Sequence, residues 1–137
     1  MIQTYSKKGN KAQMYDLRQK IAHFRQGDKS LSSYYSTLKG MWQEIDYYKS
    51  YRPKCFEDVV EYHKEVEESQ VFDFLAGLNS NYDGIRIQIL GKDPFLSLSE
   101  VYSYVQEEED RRHAMLNHTT LSSIEKSTLL SFNQRGG

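Results

Sequence analysis

The sequence predicts an all-α fold, a compact bundle of about five helices. Three observations predict it. Apolar residues recur at spacings of three and four along most of the chain. Asn or Ser precedes these runs, and Gly or Pro follows them. One alternation, Ile85, Ile87 and Ile89, could be a strand, but no second strand is visible to pair with it. The chain has 137 residues, enough for one domain and too short for two ordinary ones. Its 38% apolar and 27% charged residues suit a helical domain in water.

The first predicted helix covers residues 11–25, with Met14, Leu17, Ile21 and Phe24 on one stripe and Asn10 as N-cap. Gly27 is read as its stop, since glycine takes the left-handed conformation cheaply. Ser30 caps a longer helix over residues 31–50. There Leu31, Tyr34, Leu38, Trp42 and Ile45 share a face broad enough for burial on more than one side. Arg52-Pro53-Lys54 closes it. Residues 55–64 read equally as a first helical turn or as irregular loop. From Val66 a clear stripe runs through Val71, Phe72, Phe74, Leu75 and Leu78, ending near Gly77.

Asn79, Ser80 and Asn81 form a polar corner. Ser80 or Asn81 can start a short helix through Ile85, Ile89 and Leu90 that stops at Gly91. Pro94 separates the last helix. Ser97 and Glu100 make a capping box before Leu98, Val101, Tyr102 and Val105. Glu107 and Glu108 stand four residues before Arg111 and Arg112, an arrangement worth only ~0.3 kcal/mol per pair. From Asn117 the composition turns Ser/Thr-rich with little periodicity. The organisation expected is therefore a lead-in over residues 1–9, a helical domain over 10–116 and a flexible tail over 117–137, in which LSSIEKSTLL could form a helix on a partner.

The net charge is −1 and the pI about 6.4, whereas a segment that grips phosphates should be basic. A local exception is the first helix and its lead-in, where Lys7, Lys8, Lys11 and Arg18 are possible RNA contacts. A solvated helix face explains them more simply. The single cysteine, Cys55, excludes an intrachain disulfide and suits a reducing compartment. No apolar run approaches the ~18 residues of a membrane span. MIQTYSKKGN lacks the apolar core of a signal peptide. The expectation is cytoplasmic, with no membrane partner.

Cys55 and His63 are the one Cys/His neighbourhood, flanked by Glu57, Asp58 and Glu61. A structural zinc site needs four ligands, usually in two close pairs, so a loop cysteine packed on Phe56 is the simpler reading. A Cys–His nucleophile has the same two residues, without an oxyanion hole or a third group. No glycine-rich phosphate loop occurs. No catalytic residue, metal site or cofactor is expected. The aromatic residues Tyr34, Trp42, Phe72 and Phe74 read as core.

Two stretches carry a family resemblance: RQGDKSLSSYYSTLKGMWQEI, and FLAGLNSNYDGIRIQIL followed by PFLSLSEVYSYVQEEEDRR. In that order they resemble the Gag polyprotein of copia-type LTR retrotransposons, especially those of plants, over about residues 5–114. Gln26, Gly27, Leu31, Tyr34, Leu38 and Trp42 also look like the major homology region of retroviral capsid C-terminal domains. One residue must be deleted to align them, and Ser30 stands where that motif has Glu. The resemblance implies that Gln26 and Gly27 build the turn positioning the long helix. It implies a single core of Leu75, Leu78, Ile85, Ile89 and Leu90 against Leu38 and Trp42; helical spacing adds Leu17, Ile21, Val101 and Val105 to the expected core.

By the same resemblance the chain is a homo-oligomer acting in self-association and particle assembly. The dimer helix corresponds to residues 66–77, with Val71 and Phe74 as the candidate two-fold contact. A monomeric adaptor binding a host protein or peptide is the alternative, and RNA binding through the basic first helix the third. Family members carry a preceding lobe and a CCHC zinc knuckle that binds RNA. With one cysteine this chain cannot form that knuckle. A fragment, a truncated element or a co-opted Gag-like gene is therefore expected.

Overall fold

The structure, a computed structural model, describes residues 10–49 and 52–136, with side chains up to Asn117. Among the described residues there are five α-helices and no strand. They are α1 (Lys11–His23), α2 (Leu31–Tyr48), α3 (Phe56–Gly77), α4 (Asp83–Leu90) and α5 (Leu98–Gly136), with a single 3₁₀ turn at Ser80–Tyr82.

Local chemistry sets the boundaries. The Asn10 side chain accepts from the Gln13 N–H, and the Ser30 hydroxyl from the Ser33 N–H, so both sequence-read caps form. α1 stops at His23, earlier than expected. Gly27 does take a left-handed φ of 55°. It does so inside a turn closed by the Lys29 N–H on the Gln26 carbonyl at 2.9 Å, and not as the residue ending α1. α2 ends at Tyr48, where Arg52 Nη2 reaches back to the Asp46 carbonyl at 2.8 Å. The ambiguous stretch after Pro53 is helix from Phe56, because Cys55 serves as N-cap. Its Sγ accepts from the Asp58 N–H, and Glu57 and Asp58 place negative charge in the first turn. α3 therefore starts ten residues before the clear stripe begins.

The isoleucine run is helical. A strand would put Ile85, Ile87 and Ile89 on one face. In α4, Ile89 is buried while Ile87 is 71% exposed on the opposite side. The 3₁₀ turn delays α4 to Asp83, and this register corrects two expected core positions. Ile85 is only half-buried, and Leu90, one residue past Ile89, faces solvent. Tyr82, not singled out by the sequence, is buried at the end of the 3₁₀ turn. The capping box at α5 forms in both directions, Ser97 N–H to Glu100 Oε1 at 2.9 Å and Glu100 N–H to Ser97 Oγ at 3.3 Å. Hydrogen bonds from Ser97 hold the exposed Glu100 carboxyl below its usual range.

The core is built from Leu17 and Ile21 of α1, the Leu31–Tyr34–Leu38–Trp42–Ile45 stripe of α2, and Val71, Phe74, Leu75 and Leu78 at the end of α3. Ile89 and Val101 join it, and Val105 is also buried. Each fully buried aliphatic side chain contributes about 1.5–3 kcal/mol. Tyr34 stands at the centre, its ring stacked between Phe24 and Phe74 at centroid distances of 5.3 and 5.7 Å. Phe72, expected in the core, is exposed, with its ring 5.7 Å from that of Phe95.

The chain divides into two compact units between Val101 and Tyr102, within α5. In the second unit α5 runs on as helix to Gly136, past Asn117, where composition predicted a tail. No Gly or Pro interrupts residues 95–135. Glu108, rather than Glu107, receives Arg111, and it receives Arg112 as well, both at 2.8 Å. No described helix is long and apolar enough to cross a membrane.

Candidate functional site

The residues singled out as homology-like converge on one junction. Among the described residues, Gln26 is the one buried polar residue beside the apolar core. Its backbone N–H donates to the Gly77 carbonyl at 2.8 Å. Its side-chain Oε1 accepts from the Asn79 N–H at 3.3 Å, and the Asn79 Nδ2 donates to the Gly27 carbonyl at 2.9 Å. The turn before α2 is thereby stitched to the corner after α3. A buried amide needs such partners, since an unsatisfied one costs about 1–3 kcal/mol. Leu31, Tyr34, Leu38 and Trp42 continue from this junction along the buried face of α2.

Gly77 is part of the same junction for a reason invisible to helix-stop rules. A Cβ on it would strike the Tyr34 hydroxyl and come within 2.7 Å of the Phe24 carbonyl oxygen. The Tyr34 Oη donates to the Phe74 carbonyl at 2.9 Å. Burial pushes the Tyr34 pKa up to about 12, against a downward pull from Arg25. On the far side of the corner, Arg86 of α4 caps the end of α3. Its Nε donates to the Leu75 carbonyl and its Nη2 to the Leu78 carbonyl, each at 2.9 Å, while Nη1 pairs with Asp83.

A groove of about 750 Å³ opens between the C-terminal half of α2 and the middle of α3. At its floor Trp42 Nε1 donates to Asp73 Oδ2 at 3.0 Å. Burial raises the Asp73 pKa, opposed by that hydrogen bond and by Arg18. One wall carries Arg18, Lys39 and Lys49, and the facing wall Glu65 and Glu67 of α3. Lys49 Nζ lies 5.1 Å from the Tyr62 ring centre. Glu67 also accepts the Leu98 N–H at 2.9 Å, tying α3 to the start of α5.

The candidate self-association residues are not at the surface. Val71 and Phe74 are fully buried, because α1 and α2 cover the C-terminal half of α3. Apart from Phe72, the exposed large apolar side chains of α3 lie at its other end, where Phe56 is 79% and Val60 51% exposed. Sequence reading missed them because the helix start was ambiguous there. Of the possible RNA contacts, Lys11 and Arg18 are exposed on α1, and Arg18 borders the groove. Lys7 and Lys8 lie outside the described residues. Cys55 is an exposed cap, not a cysteine packed in a loop. Among the described residues no group of three or more His, Cys, Asp or Glu side chains is placed to hold a metal ion.

Comparison with protein-family models, with curated proteins and with solved structures found no match.

Proposed function

We propose that this chain is a Gag-like, capsid-type helical domain whose work is self-association into particles. The observation that carries the reading is the stitch of Gln26 and Gly27 to Gly77 and Asn79. The signature residues of the two stretches that resemble copia-type Gag, QG and GLN, lie some fifty residues apart and hydrogen-bond to each other. A homology-like turn that fixes the long helix against the FL-GLN corner is what the resemblance implies for a capsid C-terminal-type fold. Domains of that type multiply weak contacts, so each interface can be small while many copies together give a stable shell.

Light scattering and sedimentation across a concentration series test the proposal. The expected result is a mean mass that grows with concentration. A strict monomer at every concentration overturns it.

The groove favours a second reading, a monomeric adaptor that takes a peptide between α2 and α3. Its volume of about 750 Å³ falls inside the usual range of binding clefts, ~300–1,000 Å³. The same series separates the readings, because the adaptor stays monomeric.

A further inference from the structure

Along α3 the apolar stripe does not stop where the core stops. Helical geometry places Phe56 and Val60 on the same side of the rod as Val71, Phe74 and Leu78. The C-terminal end of this stripe is buried, and the N-terminal end lies in solvent. No residue from Phe56 to Gln70 is buried. Val59, Tyr62, Val66, Glu67 and Gln70 are half-buried, while the Phe56–Val60 side of the same stretch is open to solvent. This stretch is also acidic: Glu57, Asp58, Glu61, Glu65, Glu67 and Glu68 stand against Lys64 alone. Glu57 and Glu61 are exposed and run along one edge of the Phe56–Val60 pair.

A second copy of this face is a poor partner, since carboxylates would meet carboxylates. The complementary surface is elsewhere on the same chain. α1 buries Leu17 and Ile21 and leaves Lys11, Tyr15, Arg18 and Ala22 exposed in a row roughly a quarter-turn round the helix from them, with Arg18 at the rim of the groove. Tyr15 is 64% exposed, so this row combines positive charge with a large ring.

We propose that the outward face of α1 on one molecule docks on the Phe56–Val60 end of α3 on the next, a head-to-tail contact between copies of this chain. The contact is heterologous, so it propagates into rings or filaments rather than closing as a pair. It rests on the self-association reading and names the surface that reading requires.

The test uses the full chain and three variants: Phe56→Ser/Val60→Ser, Glu57→Lys/Glu61→Lys and Lys11→Glu/Tyr15→Glu. All six side chains are exposed, and circular dichroism melting checks that each variant keeps the parent fold. Each variant is expected to raise the concentration for half-association about tenfold or more, as loss of a close charge pair does. Mixing the two charge variants is expected to restore association, because reversed α1 then meets reversed α3. Association of the parent should weaken as salt rises from about 0.05 to 0.5 M, where the screening length falls well below ~10 Å. A parent that associates while the α1 variant associates equally well overturns the α1–α3 contact and leaves self-association standing. A charge-variant mixture that stays apart overturns it as well. A parent that is monomeric throughout overturns the function itself.

Discussion

The same methyl group should act with opposite sign at two glycines. At Gly77 it meets the Tyr34 hydroxyl and the Phe24 carbonyl, so Gly77→Ala should cost about 1–3 kcal/mol, the range for overpacking. At Gly40, inside α2, a Cβ meets nothing within 4 Å. Gly40→Ala should gain about 0.4–1 kcal/mol by restricting the unfolded chain. Urea unfolding of the two variants checks both signs. Tyr34 sets a further expectation. Its folded pKa is pushed up to about 12, while an unfolded tyrosine ionises near 10. Between those values the unfolded chain holds fewer protons than the folded one, so stability falls as pH rises through about 10 to 12. Tyr34→Phe should flatten that fall, read by unfolding midpoints taken across the window. At this scale the sequence was only partly legible. Gly77 looked like a helix stop, and nothing in the spacing shows that a hydroxyl 43 residues away excludes a side chain there.

Helix ends were legible where the cap is local and obscure where it is tertiary. Asn10, Ser30 and the Ser97–Glu100 box all act within three residues, and all form as read. The end of α3 is different, because its carbonyls are closed by Arg86 from the next helix. Arg86→Ala should lower stability by about 1.5–3 kcal/mol, the range for hydrogen bonds to a charged group. Arg86→Lys should recover little of it, since a point charge cannot reach two carbonyls and Asp83 in the planar fork that arginine provides. Thermal melting of both variants tests this; a lysine variant as stable as the parent would show that charge alone closes the helix. The start of α3 was obscure for another reason: cysteine is an uncommon cap, and no apolar residue of that end is buried.

Across the first unit, the Gln26–Asn79 stitch joins the entry of α2 to the exit of α3. The Gln26 side chain holds the Asn79 N–H and the Asn79 side chain holds the Gly27 carbonyl, so both clamp one junction and their effects should not add. Gln26→Ala, Asn79→Ala and the double variant should show a coupling of about 0.5–3 kcal/mol in unfolding free energy. Additive effects would mean that the two amides act separately. The remaining question at this scale is which surfaces meet other copies. The burial of Val71 and Phe74 moves that question to the other end of α3, where Phe56 and Val60 are open.

Periodicity and local capping determined the all-helical class, the stripes of α1 and α2, and the start of α5, because those signals act within a turn or two of helix. Only the tertiary structure decided which part of an apolar stripe is core and which is surface. Val60 and Val71 lie on one side of the same helix, and the difference between them is whether α1 and α2 reach that far. Burial depends on what packs against a residue from elsewhere in the chain, and spacing along the chain carries no record of that.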